Sequence, residues 1–434
     1  MRLKALLGVA ALALAAPAVA QTVAITNAKI ATGTGAPTID GGTVVIRDGR
    51  IASVGRSGAP ADAQVIDAQG RWVTPGLIGG FSRLALVEVD AVGDTDDTSA
   101  DDSPFKASLD VTPGLNPRSV NIPINRIEGI TRAVVAPSPG EDSVFAGQGA
   151  IITLGDADDV TMRPRAFQFI ELGERGASLA GGSRGAAFAD LRNGLREAQL
   201  YARNPAGYEG GKDRGSILTR LDAAALVPVV QGKMPALVHV ERSSDILRVL
   251  ELRREFPSLK LILVGVSEGW MVADKLAAAG VPVIASALND LPERFETLGA
   301  TQANVGRMLA AGVKVALGMI DDNDGRQIRL LPQHAGNIVA VGRLPGGPQV
   351  TPEQALSLMT RAPAEIFGLT DLGALEPGKR ADVVVWDGDP LELASAPVAV
   401  MIDGRQVPLT SRQTKLRDRY MPNRPDDMPV QYRR

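Results

Sequence analysis

The polar and apolar positions of this chain follow three successive patterns, and each predicts a different kind of secondary structure. From residue 22 onward apolar side chains follow the two-residue repeat of a strand, notably at residues 44–46 and 51–54 on either side of Asp48-Gly49. Period-two alternation around an Asp-Gly pair predicts a β-hairpin. The chain up to about residue 74 is therefore predicted to form small antiparallel β-structure.

The middle of the chain alternates short apolar runs with helix-length amphipathic segments. The clearest runs are residues 236–240, 261–266, 281–285 and 314–317. Apolar runs of this kind are typical of parallel strands that are buried on both faces and joined by helices. Residues 243–245, Ser-Ser-Asp, are predicted to cap the helix after the first run, and Gly280 to end the following helix in a left-handed conformation.

Strand-like alternation returns near the carboxyl end of the chain. Residues 381–386 and 398–402 are apolar, and Asp403-Gly404 predicts a turn after the second of them. Because both ends are strand-rich around a central α/β region, a composite domain is predicted. Residues 22–74 and 373–410 form a small β-sandwich domain, residues 75–372 form a barrel, and residues 411–434 form a polar tail that runs irregularly over the surface or is disordered.

The first 20 residues have the features of an export signal. Arg2 and Lys4 precede an apolar run, and Ala18-Val19-Ala20 supplies the small residues typical of a cleavage site. The apolar run is shorter than the ~20 residues that a membrane span requires. We therefore predict a signal peptide at residues 1–20 and a periplasmic or secreted mature protein with no membrane span.

Composition then limits the chemistry. The chain has 46 Lys and Arg against 49 Asp and Glu, a net charge of −3, so no basic field favours a nucleic acid partner. It contains no cysteine, which excludes thiolate nucleophiles, disulfides and cysteine-ligated metals. Histidine occurs only at His239 and His334, although imidazole is the commonest ligand at hydrolytic zinc sites.

Four stretches together resemble the amidohydrolase superfamily, most closely its imidazolonepropionase-like members. Residues 73–78 read Val-Thr-Pro-Gly-Leu-Ile, residues 232–240 resemble the fifth barrel strand, and residues 311–318 resemble the eighth. The most specific stretch is residues 361–382, from Arg-Ala-Pro-Ala-Glu to Gly-Lys-Arg-Ala-Asp. The resemblance implies a (β/α)8 barrel of the TIM type with a small β-sandwich domain, and hydrolysis of C–N bonds in cyclic amides or peptide-like substrates.

The metal ligands that the resemblance implies are mostly absent. The family pattern for zinc has His-x-His on the first strand, a histidine on the fifth strand usually followed two residues later by a second, a histidine on the sixth and an Asp on the eighth. Glu241 stands where the second fifth-strand histidine is expected. This chain has Phe81 and Arg83 at the first-strand positions, Gly265 at the sixth, Ile320 at the eighth, and only His239 retained. A catalytic zinc needs about three protein ligands. No cofactor is therefore expected.

Three hypotheses about function remain at this point. The first is an exported family member with a lost metal site, acting as a degenerate homologue (a pseudoenzyme) or as the partner subunit of an active paralogue. The second is an active C–N hydrolase with an altered site built on His239, Glu241 and Asp321. The third is a module that binds small carboxylates through Arg83. For Arg83 the alternative is an ion pair with Glu88, Asp90 or Glu241.

Two further motifs are weaker. Residues 265–269 match Gly-x-Ser-x-Gly, and an Asp at 321 or 322 followed by His334 completes the Ser, Asp, His order of the α/β-hydrolases. A five-residue pattern of this kind arises readily by chance in a glycine-rich chain, so we do not favour a serine nucleophile. The acidic loop at residues 90–102 lacks the EF-hand spacing and is predicted to be a solvated loop rather than a calcium site.

Overall fold

The computed structural model describes residues 22–89, 92–210, 215–287, 289–320 and 325–421. The predicted signal peptide at residues 1–20 lies outside the described residues. Within the described ranges, no helix is long and apolar enough to cross a membrane.

The first sheet is built from both ends of the chain. Its eight strands are β1 (Thr22–Ile30), β2 (Ile39–Arg47), β3 (Arg50–Gly55), β4 (Gln64–Asp67), β5 (Trp72–Pro75), β14 (Val383–Trp386), β15 (Pro397–Ile402) and β16 (Arg405–Gln406). They are ordered β16-β15-β14-β5-β1-β2-β3, and β4 also pairs with β1. The predicted hairpin turns are confirmed, because Asp48-Gly49 and Asp403-Gly404 both have positive φ angles.

The second sheet curls into an eight-stranded barrel. Its strands are β6 (Leu77–Ser82), β7 (Ile130–Val135), β8 (Phe145–Thr153), β9 (Thr161–Glu171), β10 (Ala236–Val240), β11 (Leu261–Gly265), β12 (Val283–Ala285) and β13 (Val315–Leu317), paired in chain order. The amide of Met319, just after β13, donates to the carbonyl of Phe81 on β6 at 3.1 Å and joins the two ends of the sheet. The predicted barrel with a small separate sheet is confirmed.

One strand departs from the regular (β/α)8 pattern. β8 runs antiparallel to both β7 and β9, and the connection between β8 and β9 is a short turn rather than a helix. The other neighbouring strands of the barrel pair in parallel. The carboxyl ends of β6, β7 and β9 to β13 therefore lie at one end of the barrel, where barrel enzymes place their sites.

Helices surround the barrel and pack on its outer apolar face. They are α1 (Asn121–Arg126), α2 (Gly173–Leu179), α3 (Arg184–Arg203), α4 (Pro205–Glu209), α5 (Arg220–Val230), α6 (Ser243–Glu255), α7 (Ala273–Ala279), α8 (Asn304–Ala310), α9 (Leu331–Gly342), α10 (Pro352–Ser357), α11 (Arg361–Ile366) and α12 (Arg412–Tyr420). Gly280 ends α7 with a φ of 60°, as predicted.

The predicted cap of α6 is wrong, because the start of this helix is satisfied from elsewhere in the chain. Ser243 is its first residue, and the side chain of the N-cap residue Arg242 makes no capping bond. Instead the carboxylate of Glu268 accepts from both the amide and the hydroxyl of Ser243, each at 2.9 Å. A carboxylate at this position also interacts favourably with the helix dipole.

The beginning of the carboxyl-terminal tail is helical, whereas the sequence analysis predicted an irregular segment. Ser411 and Thr414 form a reciprocal capping box that starts α12, with the Thr414 hydroxyl accepting from the Ser411 amide at 2.8 Å. None of the residues of α12 is buried. The remainder of the tail, residues 422–434, lies outside the described residues.

A charge cluster centred on the buried Arg132 joins the barrel to the small sheet. Arg132 on β7 is 1% exposed and donates to both carboxylate oxygens of Asp382, at 2.6 and 2.8 Å. Its second terminal nitrogen also lies 2.9 Å from Asp403 in the turn after β15. Because a bidentate arginine fixes both distance and orientation, this cluster sets how the two sheets meet.

Candidate functional site

Three ionisable side chains meet at the carboxyl ends of β9 and β10. His239 Nδ1 lies 2.6 Å from Glu171 Oε1, and His239 Nε2 lies 2.9 Å from Glu241 Oε1. All three residues are buried. We call Glu171, His239 and Glu241 the histidine cluster.

Strand geometry explains why these residues meet. Residues two apart on a strand point to the same face. Phe169 and Glu171 on β9 therefore point into the barrel together, as do Leu237 and His239 on β10, and Phe169 and Leu237 pack in the interior apolar cluster. His239 pairs directly with Glu171 in the strand register, so their side chains are neighbours at the top of the barrel interior.

The end of β11 is shaped to accommodate Glu241. The amide of Ser267 donates to Glu241 Oε2 at 2.8 Å. Gly265 has a φ of 87°, and a Cβ atom added there would overlap the Glu241 carboxylate. Val266 follows with a φ of 56°, a conformation that a β-branched residue rarely adopts. A side chain at the position where the family resemblance places a histidine would therefore need both a strained backbone and a shift of the Glu241 carboxylate.

The electrostatics of the cluster favour a protonated imidazole. Burial by itself would lower the pKa of His239, but the charges and hydrogen bonds of Glu171 and Glu241 outweigh it and raise this pKa well above its ordinary value. Burial raises the pKa of Glu241, but His239 and Ser267 outweigh that effect and lower it. The arrangement therefore favours the imidazolium form of His239 between Glu171 and Glu241.

Another buried carboxylate lies close enough to act on the cluster. Glu296, on the connection after β12, is 1% exposed and accepts from the Glu174 amide at 2.6 Å and from Arg184 at 3.2 Å. Burial raises the pKa of Glu296, the charge of His239 lowers it, and the charges of Glu174 and Glu241 raise it. Glu296 thus ties the loop above β12 to the segments after β9.

A cavity of about 440 Å³ opens beside the cluster. Glu241 is the member of the cluster that lines it, and the rest of the wall comes from residues between 289 and 302. Polar groups from Asn289, Arg294 and Gln302 contribute to this wall. The cavity is therefore a polar pocket at the end of the barrel where the cluster lies.

The other positions predicted for metal ligation hold side chains that cannot bind a cation. Phe81 is buried and packs 5.6 Å from the ring of Phe169. Ile320, three residues after β13, is apolar and contacts the interior cluster. In the part of the chain that the structure describes, no group of three His, Asp or Glu residues could hold a metal ion. Among the described residues, the side chains at these positions do not fit the zinc centre that the resemblance implies.

Arg83 lies just beyond β6 and is also buried. Its Nη1 donates to the carbonyls of Ala136 at 3.1 Å and Pro137 at 2.5 Å. The expected ion-pair partner Glu88 accepts instead from Asn116 and from the amide of Val120.

The remaining predicted partners have the following positions. Glu241 is bound to His239 and Ser267. Asp90 and Asp321 lie outside the described residues. The structure therefore brings His239 and Glu241 together, and the predicted role of Asp321 stays a prediction.

The alternative serine nucleophile has no catalytic arrangement among the described residues. Ser267 is 3% exposed, and its hydroxyl accepts a long hydrogen bond of 3.4 Å from Asn289. Its amide is bound to Glu241. His334 lies in α9, on the segment after β13. A serine nucleophile needs a histidine as hydrogen-bond partner, and the described contacts of Ser267 include none.

Two residues of this site were missed by the sequence analysis. Glu171 ends a strand whose order along residues 155–225 the sequence pattern did not reveal, although an acid at the end of an apolar run was the available signal. Glu296 follows a strand of three residues and has no local signal at all. Both reach the cluster through the barrel topology.

An eight-stranded barrel with ionisable side chains at its strand ends, flanked by a sheet built from both ends of the chain, defines a class of barrel proteins that carry a composite β-domain. Comparisons with known proteins narrow the class. A family model described as "Amidohydrolase family" matches residues 207–409. The solved amidohydrolase from Thermotoga maritima MSB8 has the same fold, with a TM-score of 0.77 at 24% identity over 90% of this chain and 100% of that one.

Two curated relatives are consistent with the same family. Amidohydrolase tasK of Hapsidospora irregularis is 26% identical over 401 residues, which are 84% of this chain and 39% of that protein. The imidazolonepropionase of Chromobacterium violaceum is 29% identical over 412 residues, 85% of this chain and 92% of that enzyme. Together these matches support membership of this chain in the amidohydrolase superfamily.

Proposed function

We propose that this chain is an exported amidohydrolase-family protein that has lost the family metal centre, and that it acts as a degenerate homologue or as the partner subunit of an active paralogue. One observation carries the proposal. Both ring nitrogens of His239, the one retained family ligand, are bound by the carboxylates of Glu171 and Glu241. An imidazolium has no lone pair to give to a metal or to a substrate proton.

The raised pKa of His239 supports the same conclusion for acid–base chemistry. A general base works best when its pKa lies near the working pH, because it must be unprotonated before it can accept a proton. The two carboxylates raise the pKa of His239 well above its ordinary value and so favour its protonated form. The arrangement is therefore suited to holding three strand ends together rather than to accepting a proton.

Apolar exposure at the end of the barrel supports a role in binding another protein. Leu291, Phe295 and Leu298 are 80%, 83% and 65% exposed, and all three lie on the segment around the polar cavity. Large apolar side chains grouped in one exposed segment often mark a protein-interaction surface. Export rests on the signal-like sequence of residues 1–20, and the partner stays a proposal.

The test is the metal content of the untagged protein, purified without chelators and measured by mass spectrometry before and after incubation with zinc. We expect far less than one equivalent in both samples. His239→Gln is the matched control, since a metal bound through the cluster would be lost in this variant. One tightly held zinc that disappears in His239→Gln would contradict the proposal.

The second candidate is an active C–N hydrolase with an altered site, as amide hydrolysis is the chemistry of the family. It is favoured by Glu241, which has a lowered pKa and lines the polar cavity next to an imidazolium that could donate a proton. Purified protein would be assayed with cyclic amides and dipeptides. Turnover that is lost in both His239→Ala and Glu241→Gln would replace the lead proposal with this one.

The carboxylate-binding hypothesis for Arg83 is separable from both. Its Nη1 is already bonded to two backbone carbonyls, which leaves fewer donors for a ligand. Titration calorimetry with small carboxylates, comparing the protein with Arg83→Lys, tests it. Heat that is abolished by this substitution would support the hypothesis, and equal heat or none in both proteins would rule it out.

A further inference from the structure

A second groove, of about 540 Å³, lies between α1 and the carboxyl-terminal helix α12. One of its walls includes Asp156, in the turn between β8 and β9. That turn precedes the start of β9, whereas Glu171 ends it, so the groove lies at the opposite end of the barrel from the histidine cluster. It is therefore distinct from the site described above. We call it the α1–α12 groove.

The groove is lined by five cationic side chains and a single acidic one. The cations are Arg118, Arg126, Arg412, Lys415 and Arg419, and the acid is Asp156. Among the described residues, none of the five cations forms an ion pair with a carboxylate. This differs from the adjacent surface of α12, where Arg417 pairs with Asp418 at 2.7 Å. The groove consequently carries a concentrated positive charge that the described part of the chain does not neutralise.

Arg126 gives independent evidence that a partner is missing. It is 7% exposed, its Nη1 donates weakly to the Leu154 carbonyl at 3.3 Å, and its Nε is buried without a hydrogen-bond partner. Burial lowers its pKa, and the charge of Asp156 only partly offsets this. Buried polar atoms are nearly always hydrogen-bonded, so an unpaired guanidinium nitrogen is an exception that needs an explanation.

Helix α12 adds positive charge to the groove although this opposes its own packing against the protein. It brings Arg412, Lys415 and Arg419 to the groove, yet it buries none of its residues. A helix with no buried apolar face gains little from packing. Repulsion among the cations opposes docking as well. An anion bound between α1 and α12 would replace this repulsion by attraction.

Apart from Ser119, the remaining side chains that line the groove are apolar. Val120 and Ile122 from the α1 side face Leu416 from α12 across the same space. Apolar walls beside several cations suit a ligand with a carbon body and an anionic end. A phosphate monoester carries about two negative charges and three acceptor oxygens. It can therefore bind several arginines at once, more effectively than a single carboxylate can.

We propose that the α1–α12 groove binds a small organic phosphate, with its phosphate group on Arg126 and the cations of α12 and its carbon body against Val120, Ile122 and Leu416. A flat anionic membrane is a poorer occupant because it cannot reach a recessed side chain such as Arg126. Nothing in this proposal depends on the histidine cluster or on the proposed function.

Titration calorimetry on the purified protein at low salt tests the proposal, with phenyl phosphate, inorganic phosphate and benzoate as probes. We expect phenyl phosphate to bind most tightly, because it alone supplies both the phosphate and an apolar body. The matched variants are Lys415→Glu and Arg417→Glu, which change the net charge equally on the same exposed helix. Of these two residues, only Lys415 lines the groove.

The expected result is at least a tenfold loss of phenyl phosphate affinity in Lys415→Glu and less than a twofold change in Arg417→Glu. Absence of heat at millimolar phenyl phosphate would overturn the proposal. So would an equal loss in the two variants, which would indicate unspecific charge attraction. Binding to phosphatidylglycerol vesicles without any binding of phenyl phosphate would assign the surface to a membrane and would also overturn it.

Discussion

Two clusters in this protein are each built around a buried cation between two carboxylates, and yet they differ in what they can do. At the seam between the sheets, Arg132 lies between Asp382 and Asp403. At the end of the barrel, His239 lies between Glu171 and Glu241. Arginine keeps its proton at any pH that a protein survives, whereas histidine does not.

This difference shows which cluster keeps its charge at every pH and which depends on a proton. The Arg132 cluster joins β7 to the small sheet through a charge that never changes. The His239 cluster joins strand ends through a charge that depends on a proton, and it lies beside a polar cavity. The same electrostatic arrangement is therefore a fixed joint in one place and a titratable one in the other.

The largest expected effect comes from breaking the permanent joint. Arg132→Met leaves Asp382 buried without its partner, and we expect a loss of about 3–5 kcal/mol in the free energy of unfolding. Urea denaturation measures it. Arg380→Met is the control, because Arg380 also contacts Asp403, at 3.0 Å, but is 36% exposed in its side chain. It should cost at most about 1 kcal/mol. Similar losses in the two variants would show that the burial of Arg132 is not what matters.

The next effect tests the shape of the titratable cluster. Gly265→Ala places a side chain where the Glu241 carboxylate lies, at a left-handed φ, and should cost about 3 kcal/mol. Gly280→Ala has a similar φ of 60° but open space around it, so it should cost about 1 kcal/mol. The difference between them, from urea denaturation, isolates the contact with Glu241. Equal costs would mean that the Glu241 carboxylate moves away freely.

The fold was predictable where the signal is local. Apolar runs at residues 236–240 and 261–266 match β10 and β11 almost residue for residue, because strands that are buried on both faces must be apolar throughout. Asp-Gly pairs marked the hairpins for the same kind of reason. The antiparallel direction of β8 was not predictable, because strand direction depends on pairing between distant segments.

The site was predictable only in part. His239 and Glu241 are two residues apart, so strand geometry places them together. Glu171 is 68 residues away from His239 and meets it only through the register of β9 and β10. The cap on α6 likewise comes from Glu268, 25 residues away from Ser243, while the local capping candidates Ser243, Ser244 and Asp245 are not used as predicted. Long-range partners replaced local ones in both cases.

The dependence of stability on pH separates the two clusters by a smaller effect. The folded-state pKa of His239 lies above its ordinary value of 6.5, so its contribution to stability is complete below pH 6.5 and is lost as the pH rises through the folded-state pKa. One proton gives a slope of at most about 1.4 kcal/mol per pH unit. Glu171, Glu241 and Glu296 face this imidazole.

Urea denaturation at several pH values between about 6 and 9 measures this slope. In His239→Gln the slope that His239 supplies should disappear, while any contribution from Glu296 remains, so the difference between the two curves isolates the imidazole. The lowered pKa of Glu241 acts elsewhere, since its contribution is present above pH 4.5 and is lost as the pH falls further. Parallel curves for the two proteins would mean that His239 is not protonated on folding.

The smallest effect is expected at Arg126, a buried arginine that, unlike Arg132, has no bonded carboxylate among the described residues. Arg126 is nearly as buried, but its Nε has no partner and no carboxylate is bonded to it among the described residues. Arg126→Met removes an uncompensated cation and keeps an apolar side chain of similar length. In phosphate-free buffer it should therefore change the free energy of unfolding by less than about 1 kcal/mol, in either direction.

Phenyl phosphate should then reveal the difference. A ligand that binds the folded state raises its stability in proportion to the logarithm of its concentration, so the original protein should gain stability on titration and Arg126→Met should not. A loss of more than about 2 kcal/mol in Arg126→Met without ligand would show that this cation is already compensated. The contrast with Arg132 would then not hold, because both arginines would be buried cations that the protein itself compensates.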